Sequence, residues 1–120
     1  MLDSPAGRRL LKALRKACAI LPEVDEEVDG FGHTSFRVRK KSFVIAGMGE
    51  RGMSISIKSD PVNQALLVQR GPYYRTPYIG QHGWVTLDEP LERDWPEVEE
   101  LIVDAYRLAA PKRLAKLLPG

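Results

Sequence analysis

Between residues 70 and 84 the chain carries Arg70, Tyr73, Tyr74, Arg75, Tyr78, Gln81, His82 and Trp84. Aromatic faces stack on bases and arginines contact phosphates, so this mixture is suited to binding DNA. No helical or strand periodicity runs through residues 71–83. Loops of about 12 or more residues without secondary structure often carry function. Trp84 is expected to fill core space at a sheet edge, and Tyr78 divides evenly between core and surface. Tyr73, Tyr74 and Arg75 are expected at the surface. A second basic set, Arg37, Arg39, Lys40 and Lys41, precedes this stretch, and Lys58 is expected to share its face.

Other constellations fail on their context. Gly47-Met48-Gly49-Glu50-Arg51-Gly52 matches Gly-x-Gly-x-x-Gly, but a dinucleotide site needs a helix directly after the glycines. Here Met53, Ile55 and Ile57 alternate with Ser54 and Ser56 and predict a strand, so the glycines read as a hairpin turn. Asp25-x-Glu27-x-Asp29-Gly30 opens like a calcium loop. Phe36 holds the twelfth position, where a bidentate Glu is needed. That run reads as a solvated acidic edge. His33 and His82 are the only histidines and Cys18 the only cysteine, too few for a zinc set. Cys18 falls on the apolar face of a predicted helix, where an inert thiol is expected. No Gly-x-Ser-x-Gly elbow occurs. Ser–His–Asp geometry assembled from distant positions stays open. The expectation is a protein with no catalytic activity, cofactor or metal.

The elements that must position these groups fit one domain spanning residues 1–120. Hydrophobic residues make up 43% and charged residues 28%, an ordinary globular balance with room for one modest core. No apolar run is long enough to span a membrane. The basic N-terminus lacks the apolar core of a signal peptide. A lone cysteine excludes an intramolecular disulfide and fits a reducing compartment, the cytoplasm. The net charge is only +2, but it is distributed in blocks of alternating sign. Residues 22–30 hold five acids, residues 31–87 hold eight basic and two acidic groups, and residues 88–104 hold eight acids and one base. The basic central block coincides with the predicted strands, which favours a nucleic-acid partner more than the overall charge does.

A first helix is predicted from Pro5 to about Ile20, with Ser4 as its cap and Leu10, Leu11, Leu14, Cys18 and Leu21 toward the core. Val24 and Val28 mark a short strand. Phe36 and Val38 alternate with Arg37 and Arg39 in a second, and Arg39-Lys40-Lys41 turns the chain into a strand over Ser42–Ala46. Gly47–Gly52 then turns into the Met53–Ile57 strand. Asp60-Pro61 opens a helix carrying Val62, Leu66 and Leu67 that ends near Gly71. Trp84–Leu87 reads as one more strand. Asp94 and Glu97 have capping-box spacing for a long helix with Val98, Leu101, Ile102, Ala105, Leu108 and Ala109 inward. Lys112–Leu118 continues as a basic helical tail. The order α-β-β-β-β-α-β-α, without crossover helices, predicts an α+β fold of two layers, an antiparallel sheet with helices on one face.

Taken in order, several short matches resemble the MmcQ/YjbR-like proteins, small bacterial domains of similar length. They are Leu21-Pro22, Phe31-Gly32-His33, Phe36 with Val38, Lys41-Ser42-Phe43 and Ile57-Lys58-Ser59-Asp60-Pro61. They continue through Tyr78–Trp84, Val85-Thr86-Leu87-Asp88 and Leu101-Ile102-x-x-Ala105-Tyr106. Ala105 stands where the family often has Ser, and Gln81 where it often has a basic residue. The resemblance implies a two-layer α+β fold, with a sheet similar to those of frataxin and secretion chaperones. It also implies a DNA-binding label that rests on fold analogy.

Together these readings predict a non-enzymatic binding module. Its expected partner is DNA, bound without sequence readout through Arg37, Arg39, Lys40, Lys41, Lys58, Tyr73, Tyr74 and Arg75. The alternatives are a protein-interaction domain, including self-association, and a small-ligand pocket near His33, Tyr78 and Trp84. One continuous basic face joining residues 37–41 to 70–75 favours nucleic acid, whereas intermixed charges favour protein contacts.

Overall fold

The computed structural model describes residues 2–49 and 52–119. Helix α1 (Pro5–Cys18) begins where Ser4 accepts the Gly7 N–H and Pro5 fills the first helical position. Leu10, Leu14, Ala17 and Cys18 are its buried face, and Leu11 is half-buried. The helix stops at Cys18 rather than near Ile20, because Leu21 bends inward to donate its N–H to the Cys18 carbonyl.

Six strands follow: β1 (Val24–Val28), β2 (Thr34–Val38), β3 (Lys41–Gly49), β4 (Gly52–Ile57), β5 (Tyr74–Arg75) and β6 (Val85–Asp88). They form one antiparallel sheet in the order β1-β2-β3-β4-β6-β5. The glycine-rich turn is narrower than the sequence suggests. Strand β3 runs on to Gly49, which pairs with Gly52, and the connecting residues 50 and 51 lie outside the described residues. The stretch after residue 71 is also more ordered than expected, with the short β5 and a 3-10 turn at Ile79–His82.

Helices α2 (Pro61–Arg70) and α3 (Trp95–Ala109) and the short α4 (Lys112–Ala115) join α1 over one sheet face. Asp60 caps α2 by accepting the Asn63 N–H at 2.9 Å. Of the apolar residues this helix carries, Val62 and Leu66 are exposed. The helix lies over the β5–β6 edge and turns in Leu67 and the buried amide of Gln64 instead. Gln64 donates to the carbonyls of Gly80 and Trp84 at 2.7 and 2.9 Å, tying the irregular segment to the helix. Asp94 caps α3 through the Glu97 N–H, but the Glu97 side chain turns to Arg70 at 2.6 Å and links α3 to α2. Leu108 is exposed, while Tyr106, absent from the predicted stripe, is fully buried. Its ring meets Phe43 edge-on at 5.6 Å, and its hydroxyl donates to the Pro22 carbonyl at 2.8 Å.

The core therefore lies between the helices and one face of the sheet, lined by Phe36, Val44, Ala46, Met53, Ile55, Ile57, Val85 and Leu87. The other face carries Ser35, Ile45, Ser54 and Ser56, all half-buried, and among the described residues α1 to α4 leave it open. This is the two-layer α+β architecture the element order predicts. No described helix is long and apolar enough to cross a membrane.

Candidate ligand site on the open sheet face

The β2–β3 hairpin closes at the Val38–Lys41 pair, leaving Arg39 and Lys40 as a two-residue turn. Both have positive φ, 50° and 69°. That is a type I′ turn, normally built from Asn-Gly, here made from two long cations at a cost of about 1 kcal/mol or more each. Neighbouring side chains hold it. Arg39 grips Glu23 with two hydrogen bonds of 2.7 and 3.2 Å, which keep the Glu23 carboxyl below its ordinary value. Arg37 pairs with Glu27 and donates to the Lys40 carbonyl at 2.6 Å. Glu27 of β1 and Glu23 just before it thus neutralise two of the four cations expected to meet DNA. Lys40 and Lys41 are exposed and have no carboxylate partner among the described residues.

The residue 70–84 cluster does not form one surface. Tyr73 is a correction to the sequence reading: it is 4% exposed and belongs to the core. Just before β5 it turns toward the helices, where the Arg70 guanidinium lies 5.7 Å over its ring. Burial, then Glu97, pushes its phenol up to about 12. Its ring is not available to stack on a base. Tyr74 points to the other face and donates to Asp88 at 2.7 Å. Arg75 is exposed at the edge, against Gly80. Trp84 is buried outside the main core cluster, with the Lys58 ammonium 5.9 Å over its ring. Residues 37–41 and 70–75 are separated by the width of the sheet. From β2 to β5 is four strand spacings, roughly 19 Å at about 4.8 Å each. The basic groups are interleaved with acids rather than continuous.

The structure instead brings His33 and Tyr78 together across a cavity of about 460 Å³ on the open face. Ser35, Ile45, Gly47, Ser54, Ser56 and Thr76 line it, and Pro77 and Ile79 form its far wall. Trp84, the third residue expected there, is not among its lining. On the near side, Asp29 folds the β1–β2 turn around its carboxylate. One oxygen accepts the N–H groups of Phe31 and His33 at 2.8 and 2.9 Å, and the other meets His33 Nδ1 at 3.1 Å. These contacts, the His33 N–H foremost, hold the Asp29 carboxyl below its ordinary value. With Nδ1 on Asp29, Nε2 is the ring nitrogen left to a ligand. The imidazole lies on Gly47, where a Cβ would come within 2.6 Å of it. Glycine is needed at this position to seat the ring.

The floor is a row of hydroxyls. Ser56 and Thr76 both bond the buried Thr86 hydroxyl, at 2.9 and 2.8 Å. On the far side Tyr78 has φ 67° and ψ −54°, and the Ile79 N–H donates to the Pro77 carbonyl at 2.8 Å. That is a γ-turn of the rare strained form, costing about 1–3 kcal/mol. Its ring is 95% exposed. Sequence reasoning treated Asp29 only as part of an acidic run and Gly47 as a turn glycine. The alternation of Ser54 and Ser56 signalled a wet face, but it could not show that Ser35, Thr76 and Thr86 would meet it.

A model of the YjbR family matches residues 19–108, which includes every group lining this cavity. The crystal structure of the Deinococcus radiodurans protein DR2400, with the domain DUF419, is similar at 24% identity and a TM-score of 0.73. The alignment covers 91% of this chain and 88% of that one, and the likeness is one of fold. No curated protein matches the chain significantly.

Proposed function

The chain belongs to the YjbR family, and from that premise we propose that it is a non-catalytic binding module whose ligand sits on the open sheet face. The observation that carries this reading is Tyr78, a large ring in a strained turn, fully exposed at the rim of a polar cavity opposite a fixed histidine. Strained backbone concentrates where a ligand is clamped. The cavity has the size and mixed lining of a small-molecule site. The absence of catalysis is inferred from the histidine's surroundings. Among the described residues His33 bonds only Asp29 through its ring, whereas an activated serine needs its base within hydrogen-bond reach. A ligand-observed NMR screen of common metabolites tests the reading. Binders are expected to lose their signal changes with His33→Ala and Tyr78→Ala. Binders unaffected by both variants place the site elsewhere.

A second reading, DNA bound through the β2–β3 turn, is favoured by one observation. Lys40 and Lys41 are exposed and, among the described residues, without carboxylate partners, at the tip of a hairpin whose turn glycine would form more easily. Such contacts would be to the phosphate backbone and carry no sequence information.

A further inference from the structure

We propose that the open-face site takes an uncharged sugar ring, either a free glycoside or the ribose of a nucleoside. The proposal rests on that face being the ligand site and names what it would recognise.

The argument starts from charge. Among the described residues no lysine or arginine lines the cavity. Asp29 is the one carboxylate among its described lining, and both its oxygens are occupied inside the β1–β2 turn. A phosphate or carboxylate ligand would meet no fixed counter-ion, and a cationic ligand would meet no free acid. The ligand that loses least on entering is neutral.

The hydrogen-bonding groups narrow the class further. Those left to a ligand are the hydroxyls of Ser35, Ser54, Ser56 and Thr76 and the Nε2 of His33. Each hydroxyl both donates and accepts. Ser56, Thr86 and Thr76 form one hydroxyl chain, so rotation of its O–H groups can present either character at its ends. Sugar hydroxyls have the same dual character, and this floor suits them better than it suits a ligand of donors only or acceptors only. The walls complete the match. Pro77, Ile79 and the exposed Tyr78 ring stand beside the hydroxyl floor. A sugar ring has one face rich in C–H groups and an edge of hydroxyls, and it satisfies both surfaces at once.

The test is a two-dimensional amide NMR titration of the whole chain with four probes: methyl β-D-glucopyranoside, adenosine, glucose 6-phosphate and 2′,3′-dideoxyadenosine. Saturable shifts at Ser54, Ser56 and Ile79 are expected with the glucoside, with adenosine or with both, which separates the two sources of the ring. Dideoxyadenosine should bind about tenfold more weakly than adenosine, and glucose 6-phosphate no tighter than the glucoside. Tyr78→Ala should weaken binding about tenfold, and Ser54→Ala several-fold, both with unchanged melting temperature. Equal binding of adenosine and its dideoxy form, or tighter binding of the phosphate, overturns the sugar proposal and keeps the site. No shift at these amides with any probe overturns the proposal. If metabolite binders then prove insensitive to His33→Ala and Tyr78→Ala, the site itself fails as well.

Discussion

Along β4, Met53, Ile55 and Ile57 turn to the helices and are buried, while Ser54 and Ser56 turn to the open face and stay half-buried. The covered face is complete in itself. Its apolar side chains meet α1 and α3, and even Tyr106 finds an acceptor in the Pro22 carbonyl. The open face is incomplete: its hydroxyls line a cavity and its largest ring, Tyr78, faces solvent. The same contrast appears in two strained turns. At Arg39 and Lys40 the strain is offset by bonds to Glu23 and from Arg37. At Tyr78 the turn is held by backbone bonds from Ile79 to Pro77 and from Gly80 to Thr76, and among the described residues no side chain bonds the ring.

The largest effect should separate the two faces. Ile55 has no exposed surface, and Ile55→Ala is expected to cost about 2–5 kcal/mol through lost contacts and a cavity. Ser54→Ala, one residue away, should stay within about 0.5 kcal/mol. Urea midpoints at constant m-value measure both. Equal costs would mean that the open face is also structural.

The next effect concerns the turns. Tyr78→Gly relieves about 1–3 kcal/mol of strain and gives back roughly 0.5–1 kcal/mol of chain entropy. The expected net is a stabilisation of about 1 kcal/mol, read from the same urea curves, with ligand binding lost. A destabilised Tyr78→Gly would show that the ring is held by the fold after all, and the contrast between the turns would collapse.

A smaller effect is acid sensitivity at Asp29. Its folded carboxyl titrates below the ordinary 3.8, chiefly because it accepts the His33 N–H. The carboxylate's contribution to the turn is therefore complete above that ordinary value. It is lost as pH falls through the lower folded value. Melting temperatures from pH 6 to 2 should fall less steeply in Asp29→Asn than in the parent. Identical profiles would remove Asp29 as the organiser of His33.

The fold was legible because each element's signal was local. Ser4-Pro5, Asp60-Pro61 and Asp94 capped helices where expected, and alternation at residues 53–57 set the strand facing. The site was legible only in part. His33 and Tyr78 could be singled out as chemically able residues, but their meeting depends on Gly47 and on the β1–β2 turn, both non-local. The burial of Tyr73 is not legible because a two-residue strand gives no periodicity to read, and Tyr73, just before that strand, is buried among the helices while Tyr74, its first residue, reaches Asp88 on the other face. The charge blocks misled for a related reason. Acidic β1 pairs with β2, so Arg37 is neutralised by Glu27 within the sheet, and Arg39, in the turn after β2, by Glu23 just before β1.

That neutralisation makes the last prediction the most selective. Lys40→Ala with Lys41→Ala removes only exposed groups that have no carboxylate partner among the described residues, so stability should change by less than about 0.5 kcal/mol. If the tip touches phosphates, log K falls by about 0.9 per contact per decade of salt, and the double variant should flatten that slope by roughly two units. Arg37 and Arg39 already hold Glu27 and Glu23. Replacing either should therefore change the slope by less than the lysines do. Equal effects from all four would restore a basic surface independent of β1. An unchanged slope in the lysine variant would take the turn out of any DNA contact. Absence of binding to duplex DNA at about 50 mM salt, where the electrostatic term is strong, would end the nucleic-acid reading and leave the open face as the one binding surface argued from this fold.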